Sequence, residues 1–397
     1  MAHDDELPRR ALIISAAMGD GHNAMADALT EAIDEVWPGC AVDRVDTMQL
    51  RGPRFARIAQ WAYGAQLALV PWTYTLGYAW LARSARRAAS ARLSAGKFFG
   101  PRLGLELEAR RPDVVISTYP FGSAAMDWLR RERDEWVASA TFIPAFHVHP
   151  TWAYAGIDLH FVMHEGAAEQ ALLPGFEHSM RRAAAPVRRG VGEHTRSEAR
   201  RRLGLADDEF VVLMSGGAWG IGNIAGGAGG LVKLQPGVHV VAVCGRNADL
   251  ERKMRALAES SAGRLTALGF VPNMPELMAA ADVVVTNGAG QTVLEALCTP
   301  RPVVAFAPIA GHGTACTREL VKRNLAVEAK AVPALVDQVR HLQADSARRR
   351  RLEEAAASWA GERQVRESLD ELAELWRKRR GGGLAEGRST PVVASPT

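Results

Sequence analysis

The chain has 397 residues, 48% of them hydrophobic and 23% charged, with a net charge of +4. That is globular composition at a length that accommodates two domains, and it excludes a disordered or fibrous chain. Four scattered cysteines (Cys40, Cys244, Cys298, Cys316) with no C-x-x-C pairing argue against a disulfide scaffold or structural zinc and fit a reduced, cytoplasmic protein.

The polar start MAHDDELPRR does not read as a signal peptide, and the apolar run after it is only strand length. Residues 11–16 predict a strand entering a glycine turn, Met18-Gly19-Asp20-Gly21-His22. A helix should follow, because Ala24, Ala28, Leu29, Ala32, Ile33 and Val36 recur at helical spacing. Strands are expected at 42–45, 113–117, 141–146 and 159–163, with a helix over 121–133 and a long helical, aromatic region over 51–110.

Within that region, residues 58–82 carry no formal charge over 25 residues, yet hold Pro71, two Gln, three of the ten Trp and three of the five Tyr. A spanning helix would be richer in Leu, Ile and Val, so the segment reads as an interfacial patch. Residues 83–102 add six basic side chains (Arg83, Arg86, Arg87, Arg92, Lys97, Arg102) and no acidic one. Such a run is either a solvated face or a contact for anionic lipid or nucleic acid; beside the aromatic segment, lipid is the expected partner and nucleic acid is not.

The pattern then restarts. After a charged hinge, strands are predicted at 210–214, 239–243, 265–268, 283–285 and 303–306, the first entering the glycine-rich loop 215–222. Strands alternating with helices imply two parallel sheets, and ligands of such sheets bind at the carboxyl ends of the strands. Residues 282–298, DVVVTNGAGQTVLEALC, are the most informative stretch. A strand, a glycine turn and a helix present free N–H groups and a positive dipole end to phosphate, and Glu295 one turn on can accept from sugar hydroxyls. Together they suggest a nucleoside diphosphate. Residues 346–380 should form charged C-terminal helices, and 381–397 a disordered tail.

The segments SAAMGDGHNAMADAL (15–29), PDVVISTYPF (112–121), HPTW (149–152), VVAVCGRN (240–247) and GFVPNMPELMAAADVVVTNGAGQTVLEAL (269–297) resemble, in order and spacing, glycosyltransferase family 28. The branch they resemble holds monogalactosyldiacylglycerol synthase and the processive diacylglycerol glucosyltransferases. The resemblance implies an α/β GT-B fold, with two Rossmann-like domains facing across a cleft. Residues 1–186 would form the acceptor domain, with 51–110 as its membrane-docking region, and 187–345 the UDP-sugar domain. It implies an inverting transfer of glucose or galactose from a UDP-sugar to diacylglycerol or a related lipid, with no metal and no cofactor. The protein would sit peripherally on the inner face of the cell membrane.

Residue by residue, the resemblance makes His22 the general base for the acceptor hydroxyl. It assigns the donor to Gly216, Gly217, Gly220, Gly222, Arg246, Phe270, Val271, Gly288, Gly290, Gln291, Thr292, Glu295 and His312, and the acceptor side to Gly19, Gly21, His149 and Trp152. One departure stands out. Where many family members carry Gln, Glu and Asn after the last strand, this chain has His312, Gly313 and Cys316. The donor sugar therefore stays open. So do a different apolar acceptor, polyprenyl-linked or a secondary metabolite, and a non-catalytic lipid- or nucleotide-binding relative.

Overall fold

Two six-stranded parallel sheets follow one another along the chain in the computed structural model, which describes residues 7–133, 137–170, 178–288 and 290–381. The first half runs β1 (Arg10–Ser15), α1 (Gly21–Val36), β2 (Ala41–Asp46), α2 (Pro53–Leu69), α3 (Pro71–Ala82), α4 (Ala85–Arg110), β3 (Val114–Ser117), α5 (Pro120–Glu132), β4 (Ala138–Phe142), β5 (Leu159–Val162), α6 (Ala167–Gln170) and β6 (Met180–Arg182). The second begins with α7 (Arg196–Leu203), β7 (Phe210–Ser215), α8 (Ile224–Leu234), β8 (Val238–Val243), α9 (Ala248–Glu259), β9 (Leu265–Leu268) and α10 (Met274–Ala280). It continues with β10 (Val283–Thr286), α11 (Gln291–Cys298), β11 (Val303–Phe306), α12 (His312–Lys322), β12 (Ala326–Ala329), α13 (Val332–Ala344), α14 (Ser346–Gly361) and α15 (Val365–Gly381).

The inner strands are near-continuous apolar runs, as both faces of a parallel sheet are covered by helices; β3 (VVIS) and β7 (FVVLMS) are buried throughout. Strand order is β2-β1-β3-β4-β5-β6 in the first sheet and β12-β11-β10-β7-β8-β9 in the second. The order reverses between β1 and β3, and again between β10 and β7. Parallel sheets open a crevice at such points, at the carboxyl ends of the strands. The glycine turns of the sequence lie there: 16–20 after β1, 216–222 after β7, and Asn287, Gly288 and Gly290 after β10.

Some elements differ from expectation. The strand expected at 141–146 is β4, shifted back to Ala138–Phe142, and the chain beyond it forms an irregular wall of the cleft. The edge strands β6 (MRR) and β12 (AVEA) are too short and too polar to show an apolar run. Residues 382–397, most of the expected tail, lie outside the described residues.

Helix α4 closes tightly on α5 because Gly96, Gly100 and Gly104 form a stripe against Ala124, Trp128 and Leu129; a Cβ at Gly100 would run into the Trp128 ring. Helices α14 and α15 leave the second half and return to the first. Trp359 Nε1 donates to the Met163 carbonyl at 3.0 Å, Arg181 pairs with Glu371 at 2.7 Å, and Arg379 pairs with Asp158. Leu369, Leu372, Ala373 and Trp376 share one buried cluster with Ile33, Trp37, Ala138 and Ala140.

Candidate functional site

The two crevices face each other across a cleft of about 1230 Å3 lined from both halves. Ordinary small-molecule sites are about 300–1,000 Å3, so this one has room for two substrates. The turns after β1 and β3 are tied together at its floor. His22, in the first turn of α1, lies 2.5 Å through Nδ1 from the Thr118 carbonyl, and the Thr118 hydroxyl donates to the His22 carbonyl at 3.0 Å. A carbonyl only accepts, so Nδ1 carries the proton and Nε2 keeps a bare lone pair. Burial pulls the imidazole down to about 4, opposed by the Thr118 bond. The ring is wedged against Tyr119 at 4.9 Å and Trp152 at 6.2 Å between centroids.

On the opposite wall, Glu295 is 1% exposed, so it is not the solvated helix glutamate its position in α11 permits. Both carboxylate oxygens accept from Arg188, at 2.7 Å from Nε and 2.7 Å from Nη2. Gln291, the first residue of α11, donates through Nε2 to the Pro186 carbonyl at 2.6 Å, leaving its buried Oε1 unpaired among the described residues. Arg246 lies over Phe270, 4.1 Å from the ring centroid, and pairs with Asp20 of the β1 turn across the cleft.

Most residues assigned from the sequence line this cleft: Gly19, Gly21, His22, His149, Trp152, Gly216, Gly217, Arg246, Phe270, Val271, Gly290, Gln291, Thr292, Glu295 and His312. Three do not. Gly220 packs on the Cys244 carbonyl and Asn247, Gly222 faces Asn287, and Gly288 abuts Thr317, so these shape the loops behind the wall. His149 has no ring nitrogen left for an acceptor: Nδ1 accepts from the Thr151 N–H at 3.2 Å, and Nε2 donates to the Tyr78 carbonyl at 3.0 Å. Among the described residues no three His, Cys, Asp or Glu side chains are grouped to hold a metal.

The 58–82 segment has two faces. Tyr63, Tyr74 and Tyr78 turn into the cleft, while Ile58, Trp61, Leu69, Trp72, Leu76 and Trp80 are 55–78% exposed. The spacing Trp72-Leu76-Trp80 against Tyr74-Tyr78 carries this split in the sequence itself. Among the described residues, no helix is long and apolar enough to cross a membrane. Of the basic run, Arg83, Arg86, Arg87, Lys97 and Arg102 are exposed, but Arg92 turns inward to the Pro150 carbonyl at 2.5 Å. Arg188, Asp20 and Trp219 also line the cleft and were not singled out from the sequence.

Residues 22–183 match the family model for monogalactosyldiacylglycerol synthase, and residues 230–345 that for glycosyl transferases group 1. The processive diacylglycerol beta-glucosyltransferase of Bacillus subtilis is 25% identical over 342 residues, 85% of this chain and 87% of that protein. This chain is similar to monogalactosyldiacylglycerol synthases and to the diacylglycerol glucosyltransferases. The Bacillus pumilus enzyme of the same name is 24% identical over 308 residues, 77% of this chain and 79% of that one. Among solved structures, Anabaena HepE in complex with UDP superposes with a TM-score of 0.53 at 15% identity, covering 93% of this chain and 100% of that one. The glycotransferase of kitacinnamycin reaches 0.57 at 16% identity over 92% and 99%. These likenesses establish the GT-B fold.

The buried histidines predict the protein's acid stability. Burial holds His22, His149, His164 and His312 at about 4 and His160 at about 3. Unfolded histidine titrates near 6.5. Between those values the unfolded chain binds protons that the folded one refuses, so stability is complete above about pH 6.5 and falls as pH drops toward 4. The thermal midpoint should fall by at least about 5 °C between pH 7.5 and pH 5. A flat profile would mean that these rings are open to water.

Proposed function

We propose that the protein transfers a hexose from a UDP-sugar to the hydroxyl of diacylglycerol or a related lipid, with inversion and without a metal, while seated on the inner face of the cell membrane. The observation that carries this reading is the His22 tautomer: a neutral imidazole whose bare Nε2 is available at the cleft floor. The acceptor oxygen attacks the anomeric carbon from the face opposite UDP. Its proton passes to Nε2 as the new C–O bond forms, and the old C–O bond breaks with its electrons going to the β-phosphate. In this reading the loop at Gly216-Gly217, the start of α11 and Arg246, all lining the cleft, stabilise the departing diphosphate charge. Hexosyl transfer to diacylglycerol is supported by the names of similar enzymes, and a UDP donor by the UDP-bound neighbour of the same fold.

Seating on a membrane is supported by the outer face of α2 and α3 and by the arginines after it. Tryptophans enter the headgroup layer while arginines meet anionic lipid. The test is an incubation of UDP-glucose, UDP-galactose and UDP-N-acetylglucosamine with diacylglycerol in anionic vesicles, reading glycolipid and its anomer, with and without EDTA. We expect a β-linked hexosyl lipid from one UDP-hexose, unaffected by EDTA. Trp72→Ser with Trp80→Ser should lower the vesicle-bound fraction about tenfold. Product only with a different apolar alcohol would move the acceptor, and UDP binding without any transfer would make the protein a binder.

A further inference from the structure

Two neutral imidazoles belong to opposite walls of the cleft, His22 from α1 and His312 from the start of α12. They are near enough that charge on His22 would oppose charge on His312, and burial holds both at about 4. The two rings are anchored differently. His22 is bonded through Nδ1 to a carbonyl, which fixes Nε2 as an acceptor. His312 is bonded through Nδ1 to a hydroxyl, that of Tyr74, at 3.2 Å.

A hydroxyl can give or take, so the tautomer of His312 depends on Tyr74. The tyrosine is well placed to set it. Its ring meets the imidazole edge-on, at 86° and 5.7 Å between centroids. It also lies against the backbone at Gly311, where a Cβ would stand 3.0 Å from the ring. Of the pair, the phenol O–H is the stronger donor and the imidazole nitrogen the stronger acceptor, so the bond runs from Tyr74 to Nδ1; burial raises the Tyr74 hydroxyl far above its ordinary value, so it stays protonated. The helix bearing it is pinned by the bond from His149 Nε2 to the Tyr78 carbonyl and by Gln66 Nε2 to Thr73 Oγ1 at 3.1 Å. Among the described residues, Nε2 of His312 has no protein partner.

We propose that Tyr74 is a positioning residue that fixes His312 as the Nε2–H tautomer, so that His312 offers a hydrogen bond to a hydroxyl or phosphate oxygen of the UDP-sugar. The cleft then holds one imidazole that accepts and one that donates. His312 does not compete with His22 for the acceptor's proton. The claim rests on the donor reading above.

Two measurements test it. In protein labelled with 15N-histidine, ring shifts tell a protonated nitrogen from a bare one; His312 should show a protonated Nε2 and bare Nδ1, and Tyr74→Phe should mix the two forms. In kinetics, Tyr74→Phe should raise the UDP-sugar KM about three- to tenfold, the worth of one hydrogen bond, with little change in kcat. In a His312→Gln background, whose amide N–H needs no tautomer, Tyr74→Phe should cost less than about twofold. A protonated Nδ1 in the unmodified protein, or an equal loss in both backgrounds, would overturn the proposal. Absence of any UDP-sugar binding would sink the donor reading instead, while the 15N shifts still decide whether Tyr74 sets the tautomer.

Discussion

Replacing His22 with alanine is expected to lower kcat for lipid glycosylation about 100- to 10,000-fold while leaving UDP affinity within about twofold. The large effect follows from there being one bare nitrogen at the floor, held by one carbonyl. The small effect follows from the proposed nucleotide-binding turns lying on the other half of the chain. Calorimetry of UDP binding beside a glycolipid assay reads both. Because the folded imidazole titrates at about 4, the base stays competent well below pH 6. Any loss of rate near pH 5 should therefore follow unfolding and not His22 protonation. Near-normal turnover by His22→Ala would end the base assignment.

The second large effect concerns Arg188 and Glu295. Glu295→Ala should weaken UDP binding about tenfold or more, since a hydrogen bond to a charged group contributes about 1.5–3 kcal/mol. The carboxylate is held by two arginine N–H groups at 2.7 Å, yet each of its oxygens keeps a lone pair for a ribose hydroxyl. Arg188→Ala should then weaken UDP binding too, because the carboxylate loses its orientation. It should also destabilise the fold by roughly 3 kcal/mol, because Glu295 is stranded as a buried charge. UDP affinity unchanged in Glu295→Ala would remove the ribose role. An unchanged melting temperature in Arg188→Ala would mean that water or another cation reaches the carboxylate.

The inner strands and the glycine turns were readable because parallel strands are uniformly apolar and their turns need glycine. Periodicity reports burial, so β6 and β12 escaped: they are edge strands with mixed side chains. The proposed nucleotide side of the cleft lay in short contiguous motifs. Its supports did not. Arg188 reaches Glu295 from a linker 107 positions away, and Asp20 reaches Arg246 across 226. No local pattern signals such pairs. His149 was visible as a residue but its state was not, since Nδ1 is committed within its own turn to Thr151 and Nε2 to the Tyr78 carbonyl of a distant helix. In 58–82 composition signalled a surface, whereas the alternation of Trp and Tyr on α3 also encoded an inner face.

The return of α15 to the first sheet has a consequence for biosynthesis. Trp376 and Leu369 complete a core begun by Ile33 and Trp37, so the first half keeps apolar surface uncovered until residues near 376 leave the ribosome. Translation runs at about 5–20 residues per second, which makes the wait on the order of ten seconds or more after residue 186 is made. The half that is synthesised first is therefore finished last, and the nascent chain carries that apolar surface uncovered in the interval.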